Sequence, residues 1–247
     1  LISMYLLLLG YVYLAQRTFI YFPGLTRPAS ITHNYEFTND GLLLRGWVIN
    51  QNKPSAILYF GGNAESLEYN IPIFKRLFPD QAVYMLSYRG YGDSEGEPSE
   101  RGIYSDVLAL YDLVRNKHDS VSIIGRSLGS GVATYLAAER PLHKLVLITP
   151  FSSLVDLALR HFPIFPVDVL LKDRYPSLQR VEKFSTKTMI IYAGDDRIVP
   201  ESSTLALISK FPVDQLKVKK IDGANHNSIS DFAIYQTVLE EFFSTDN

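Results

Sequence analysis

Between residues 56 and 221 the chain repeats one pattern: a short run of apolar residues, then a longer stretch with apolar positions at helical spacing. The short runs are AILYF (56–60), VYMLSY (83–88), VSIIG (121–125), KLVLIT (144–149), TMIIYA (188–193) and LKVKKI (216–221). Most have strand length and little alternation, as expected of strands buried on both faces. Helix-length segments, among them 103–116 and 128–139, separate most of them. This alternation predicts an α/β fold, a mostly parallel central sheet with helices on both faces, joined by right-handed crossovers. Ahead of the first run, YEFT (35–38) and LLLRGWVI (42–49) flank Asn39-Asp40-Gly41, a hairpin signal.

Two segments break the alternation. LISMYLLLLGYVYLA (1–15) is apolar apart from Ser3 and its tyrosines and reads as a membrane segment, so residues 1–22 are assigned to an anchor with its connector and 23–247 to the folded domain. The run is shorter than the roughly 20 apolar residues of a full span. A signal peptide is the nearest rival, but cleavage after Ala15 would put Tyr13 where a small residue is wanted; a buried helix is the third reading. Arg17 and Arg27 follow the segment, which leans towards a cytoplasmic domain. The second departure is the connection 151–187, with HFPIFP (161–166) in its middle. An excursion of that length predicts a small lid or inserted subdomain.

Composition narrows the chemistry. With 47% of 247 residues hydrophobic, the chain can bury a sizeable core. A net charge of -2, without long runs of either sign, argues against nucleic acid as a partner. The absence of cysteine removes disulfides, thiolate metal sites and a cysteine nucleophile together, and no metal or cofactor is expected. Nothing in the pattern specifies an oligomeric state.

In open α/β sheets ligands bind beyond the carboxyl ends of the strands, so a catalytic candidate should follow a strand closely. Gly125-Arg126-Ser127-Leu128-Gly129 does so, matching G-x-S-x-G between a buried strand and a helix. A serine on such a sharp turn exposes its Oγ, and glycine two residues either side avoids a collision as strand and helix close up. A phosphate cradle fits worse, because neither G-K-[ST] nor G-x-G-x-x-G is met here; a plain glycine-rich corner is the remaining reading.

A serine needs a base and an orienting acid. His33 precedes the first strand, His118 and His143 come just before strands, and His161 lies in the excursion. Only His226, in IDGANHNS (221–228), follows the last strand. For the acid, YAGDDRIVP (192–200) offers Asp196, with Asp195 second and Asp156 as an outside alternative. The expected oxyanion donors are the backbone N–H of Leu128 and one from Gly61-Gly62-Asn63-Ala64, with Asn63 preferred and Ala64 next.

FIYFPG (19–24), YFGGNAES (59–66), SYRGYGDSEGEPSERGIYSD (87–106), GRSLGSG (125–131), LLKDRYPS (170–177), GDDRIVP (194–200) and GANHN (223–227) cover nearly the whole chain. Together with the apolar start, they resemble the α/β-hydrolase superfamily and, within it, the membrane-anchored branch of bud-emergence and depalmitoylase-like proteins. The family usually has His-Gly-Asn-Ala where this chain has Gly61-Gly62-Asn63-Ala64, a change that bears on the loop's shape more than on backbone donors. The resemblance implies hydrolysis of a carboxylic ester or thioester on a small-molecule, acyl or lipid substrate, through Ser127, His226 and Asp196 and an acyl-enzyme. A serine peptidase, or an inactive binding protein on the same fold, is the alternative. Phe162, Ile164 and Phe165 of the excursion are expected to line an acyl pocket or to pack as a lid.

Overall fold

The computed structural model describes residues 2–244. Eight strands form one sheet: β1 (Tyr35–Asn39), β2 (Leu42–Ile49), β3 (Ser55–Phe60), β4 (Gln81–Leu86), β5 (Ser120–Arg126), β6 (Lys144–Ile148), β7 (Lys187–Ala193) and β8 (Leu216–Ile221), in the order β1-β2-β4-β3-β5-β6-β7-β8. Neighbours from β4 to β8 are parallel, and β2 runs antiparallel to both β1 and β4. The hairpin turns on Asp40 and Gly41, with φ of 51° and 76°, so Asn39 pairs with Leu42 across a two-residue loop.

The helices are α1 (Ile2–Ile20), α2 (Ile71–Leu77), α3 (Glu100–Arg115), α4 (Leu128–Glu139), α5 (Leu154–His161), α6 (Val167–Leu170), α7 (Glu201–Ile208) and α8 (Ala233–Ser244). Strand pleating divides the core between two faces. Leu58 and Phe60 of β3 join Ile103 and Leu110 of α3 and Val132 and Leu136 of α4. Ile57 and Tyr59 join Phe74 of α2 and Leu239 and Phe242 of α8 on the other. Helix α3 starts three residues before the position set by apolar spacing, because the Ser99 hydroxyl accepts from the Gly102 N–H at 3.1 Å and caps it there.

From β3 the chain steps to one side for β4, then crosses back to the other side for β5. The connections after β3 and β5 therefore diverge, α2 to one face and α4 to the other. Such a reversal opens a crevice at the strand ends.

The reading of the N-terminal segment as a membrane span requires correction. It forms α1, whose 19 residues reach about 28 Å. Among the described residues no helix is long and apolar enough to cross a membrane. Its unbroken apolar run stops at Ala15, and the following turn is seated in the domain. Gln16 is buried, donating from Nε2 to the Leu170 carbonyl at 3.2 Å and accepting from the Lys172 N–H at 2.7 Å. Arg17 pairs with Asp173 at 3.0 Å, and the Tyr21 and Tyr175 hydroxyls share a 2.9 Å hydrogen bond.

Candidate active site

Strand β5 delivers the chain to Ser127, which adopts φ 50° and ψ -116°. A β-carbon makes that conformation costly, so the surroundings must hold it. The Ser127 N–H donates to the Ile148 carbonyl of β6 at 2.9 Å, and the Ser127 carbonyl accepts from the Ser130 N–H at 2.8 Å and the Ser130 hydroxyl at 2.6 Å. Packing around the turn leaves no room for side chains. A Cβ at Gly125 would lie 2.4 Å from the Gly129 carbonyl oxygen, and one at Gly129 would lie 2.0 Å from that of Phe60. The collision inferred from the sequence is therefore between strand and helix at Gly125, and with the end of β3 at Gly129.

The loop after β8 brings His226 to the serine. Asn225 shapes it, its Oδ1 accepting from the N–H groups of Asn227 and Ser228, both at 3.0 Å. His226 Nε2 lies 2.9 Å from Ser127 Oγ, and its Nδ1 lies 2.7 Å from Asp196 Oδ2. An ionised carboxylate only accepts, so Nδ1 carries the proton and Nε2 accepts from the serine hydroxyl. The other oxygen of Asp196 accepts from the N–H groups of Ile198 and Val199 at 2.9 and 2.8 Å, which fixes the carboxylate's orientation. The His226 and Asp196 side chains are 8% and 4% exposed. Their pairing is thus largely shielded from water.

The other candidates lie elsewhere. Asp195 is exposed and holds the turn through its N–H to the Ala224 carbonyl, 2.9 Å away. Asp156 sits in the first turn of α5, accepts from the Ser152 hydroxyl at 3.1 Å and faces Arg160 at 3.5 Å. His118 is buried between the Tyr84 hydroxyl and the Lys53 carbonyl. His33 lies 3.8 Å from both Glu36 and Asp93.

Leu128 opens α4, where a backbone N–H has no acceptor within the helix and the dipole favours negative charge. Across from it the loop after β3 lies against the serine, for a Cβ on Gly62 would come within 3.5 Å of Ser127 Cβ. The Asn63 side chain is turned towards the end of α1. Its Nδ2 donates to the Ile20 carbonyl at 2.6 Å, and its Oδ1 accepts from the Tyr91 hydroxyl at 2.6 Å and the Phe22 N–H at 3.3 Å. Asn63, Ser127 and Leu128 all line a cavity of about 400 Å³.

That cavity is apolar apart from Gln16, Asn63, Ser127 and His161. The excursion supplies one wall, including Leu157, Phe162 and Phe165, and α1 supplies another through Val12 and Phe19. Ile164, expected to join Phe162 and Phe165, is instead 69% exposed and outside the lining. Its carbonyl accepts from the Tyr5 hydroxyl of α1 at 2.7 Å. Sequence reasoning missed α1 as a cavity wall, and missed Asn225, Glu65 and Arg126 around the serine. The signals available were FIYFPG directly after α1's apolar run and a lone charge, Arg126, between a buried strand and the serine.

A family profile described as alpha/beta hydrolase fold matches residues 55–169. An uncharacterized protein of Mycobacterium tuberculosis is 31% identical over 233 residues, 88% of this chain and 82% of that protein. The chain belongs to the α/β-hydrolase superfamily. Another similar protein is the lysophosphatidylserine lipase ABHD12 of Danio rerio, 34% identical over 173 residues, which are 61% of this chain and 45% of that one. The chain thus spans about half the length of that relative. Among solved α/β-hydrolases, the Pyrococcus furiosus esterase Pf2001 superposes with a TM-score of 0.71 at 18% identity, covering 87% of this chain and 93% of the esterase. At that identity the likeness is one of fold.

Proposed function

We propose that the protein is a serine hydrolase that cleaves carboxylic ester or thioester bonds of acyl substrates, with its side chains and backbone supplying the chemistry. The observation that carries this reading is the unbroken hydrogen-bonded chain from Ser127 through His226 to Asp196, with Ser127 in the lining of an apolar cavity. Ser127 Oγ attacks the acyl carbonyl carbon while His226 Nε2 takes the hydroxyl proton, and Asp196 stabilises the imidazolium. The Leu128 and Asn63 N–H groups receive the oxyanion. Collapse of the tetrahedral intermediate expels the alcohol or thiol, which takes its proton from His226 and leaves an acyl-serine. Water, deprotonated by His226, then releases the carboxylic acid and restores Ser127. The cavity's apolar walls and modest volume suit an acyl chain better than a polar peptide.

A fluorophosphonate probe tests the nucleophile. Labelling is expected on the folded wild type and absent from Ser127→Ala; no labelling, or labelling that persists in the variant, overturns the reading. Parallel assays on acyl esters, acyl thioesters and aminoacyl amides test the bond type, and a strong preference for the amide would overturn it.

The same reading keeps α1 at a membrane, lying along the surface rather than crossing it. Ile2, Leu6, Leu7 and Leu14 are all at least 60% exposed, on a helix that also walls the cavity. This arrangement, and the similarity to a lipase, support the membrane-attached branch of the superfamily and a lipid-borne acyl group. The wild type is expected to float with phosphatidylcholine vesicles on a density gradient, and Leu6→Asp/Leu7→Asp/Leu14→Asp to stay at the bottom. Equal flotation of the two, or none by the wild type, removes this part of the proposal.

A further inference from the structure

Beside the serine turn, outside the cavity lining, lies a partly buried polar cluster that none of the proposed chemical steps uses. Glu65 is at its centre with a side chain 12% exposed. Its Oε2 accepts from the Gly62 N–H at 2.6 Å, and its Oε1 accepts from the Tyr59 hydroxyl at 2.6 Å and Asn70 Nδ2 at 2.9 Å. Burial, with the charge of Glu65 added, pushes the Tyr59 phenol well above its ordinary range, so it remains a donor. Arg126, 16% exposed, places Nη1 3.5 Å from Glu65 Oε2. Its Nη2 donates to the carbonyls of His226 and Asn227 at 3.4 and 3.2 Å.

The connectivity gives the cluster its meaning. Gly62 immediately precedes Asn63, Arg126 immediately precedes Ser127, and the carbonyls belong to the histidine loop. One ion pair therefore ties together the three segments whose mutual spacing acyl transfer depends on. A planar guanidinium can face a carboxylate and reach two carbonyls at once, which a single ammonium cannot match in geometry. Burying two charges is costly, and a hydrophobic pair of similar volume is often at least as stabilising, so stability is a poor reason for this pair to be here.

We propose that Glu65 and Arg126 are positioning residues: a strut that fixes the separation of the oxyanion loop and the histidine loop across Ser127. The proposal rests on the assignment of Ser127, His226 and the Asn63 N–H made above. A strut of this kind acts on the transition state, where misplacement by about 1 Å can cost around a hundredfold. Neither residue lines the cavity, so substrate binding should be nearly untouched.

The test is steady-state kinetics on a p-nitrophenyl acyl ester for Glu65→Gln, Arg126→Gln and the double variant, alongside urea unfolding of each. Each single variant is expected to lose about ten- to a hundredfold in kcat with KM within about threefold of wild type. The double variant should be no worse than the poorer single, because the two act as one unit. Folded variants with kcat within twofold of wild type, a rise in KM alone, or losses that multiply in the double variant would each overturn the strut. Should Arg126→Gln fail to fold, Arg126→Lys takes its place, and a wild-type kcat there has the same consequence. Fluorophosphonate labelling of wild-type Ser127 in the same preparation separates the two levels: its absence sinks the serine reading, whereas normal labelling with unimpaired variants sinks only the strut.

Discussion

Asp196→Asn is expected to lower kcat about 10⁴-fold while leaving the urea midpoint close to wild type. The reason lies in the second oxygen of the carboxylate. Ile198 and Val199 both donate backbone N–H groups to Oδ1, so an asparagine must keep its carbonyl oxygen there and turn its NH₂ towards His226. Nδ1 would then have to accept, the ring proton would move to Nε2, and the nitrogen facing Ser127 could no longer take its proton. The error is one of tautomer rather than of shape. Asp195→Asn, at an exposed position that contributes its backbone to the turn, is expected to stay within about twofold of wild type. Steady-state kinetics on the two purified variants decide the matter, and the opposite ranking would reassign the acid.

Gly129→Ala is expected to destabilise the fold by about 3 kcal/mol or more, the upper end for overpacking by one methyl group. The added Cβ meets backbone rather than a side chain: the Phe60 oxygen at 2.0 Å, the Phe60 carbonyl carbon at 2.6 Å and the Gly61 oxygen at 2.7 Å. Relief requires α4 to part from the end of β3, which would carry Gly61 and Gly62 away from Ser127, so the surviving folded protein should also be less active. Gly131→Ala meets side chains rather than backbone, those of Tyr175 and Phe151 at 2.9 and 3.1 Å, and should cost less. Gly10→Ala, with nothing within 4 Å, serves as the neutral control. Urea unfolding of the three variants gives the ranking, and a Gly129→Ala midpoint equal to wild type would show that the strand and helix ends are not in this contact.

How much of the fold is legible in the sequence follows the range of the forces involved. Strands β3 to β7 were legible because each is buried on two faces and so must be apolar at nearly every position, whereas β8, LKVKKI at the sheet's edge, is half exposed and shows through its place in the alternation. The hairpin was legible because Asp40-Gly41 accommodates positive φ. The placement of Ser127 on the turn was legible through glycines that answer a local steric demand, and that of His226 through its position beyond the last strand. Asp195 and Asp196 could not be separated firmly by pattern, since both follow β7 directly. What distinguishes them is a turn in which the Ile198 and Val199 N–H groups grip one carboxylate while the other faces solvent.

The N-terminal segment misled for a related reason. An apolar run has the same composition whether lipid or a cavity of the protein lies beside it, and only contacts with residues far along the chain distinguish the two. The pairing of Glu65 with Arg126 was illegible for the opposite reason: Arg126 stands out as a lone charge beside the serine, but nothing in the sequence joins it to Glu65 until the fold sets them 3.5 Å apart.

Those distant contacts also set a timetable. The hydrogen bonds and ion pair that seat α1 join Gln16 to Leu170 and Lys172, Arg17 to Asp173 and Tyr21 to Tyr175, across 154 to 156 positions. A ribosome adding 5–20 residues per second needs roughly 8–30 s to make that much chain. Until the end of that interval the residues that seat α1 do not exist, although β1 to β6 precede them in the chain. Any apolar surface near the ribosome can meet it first, so delivery of the chain would precede assembly of its pocket.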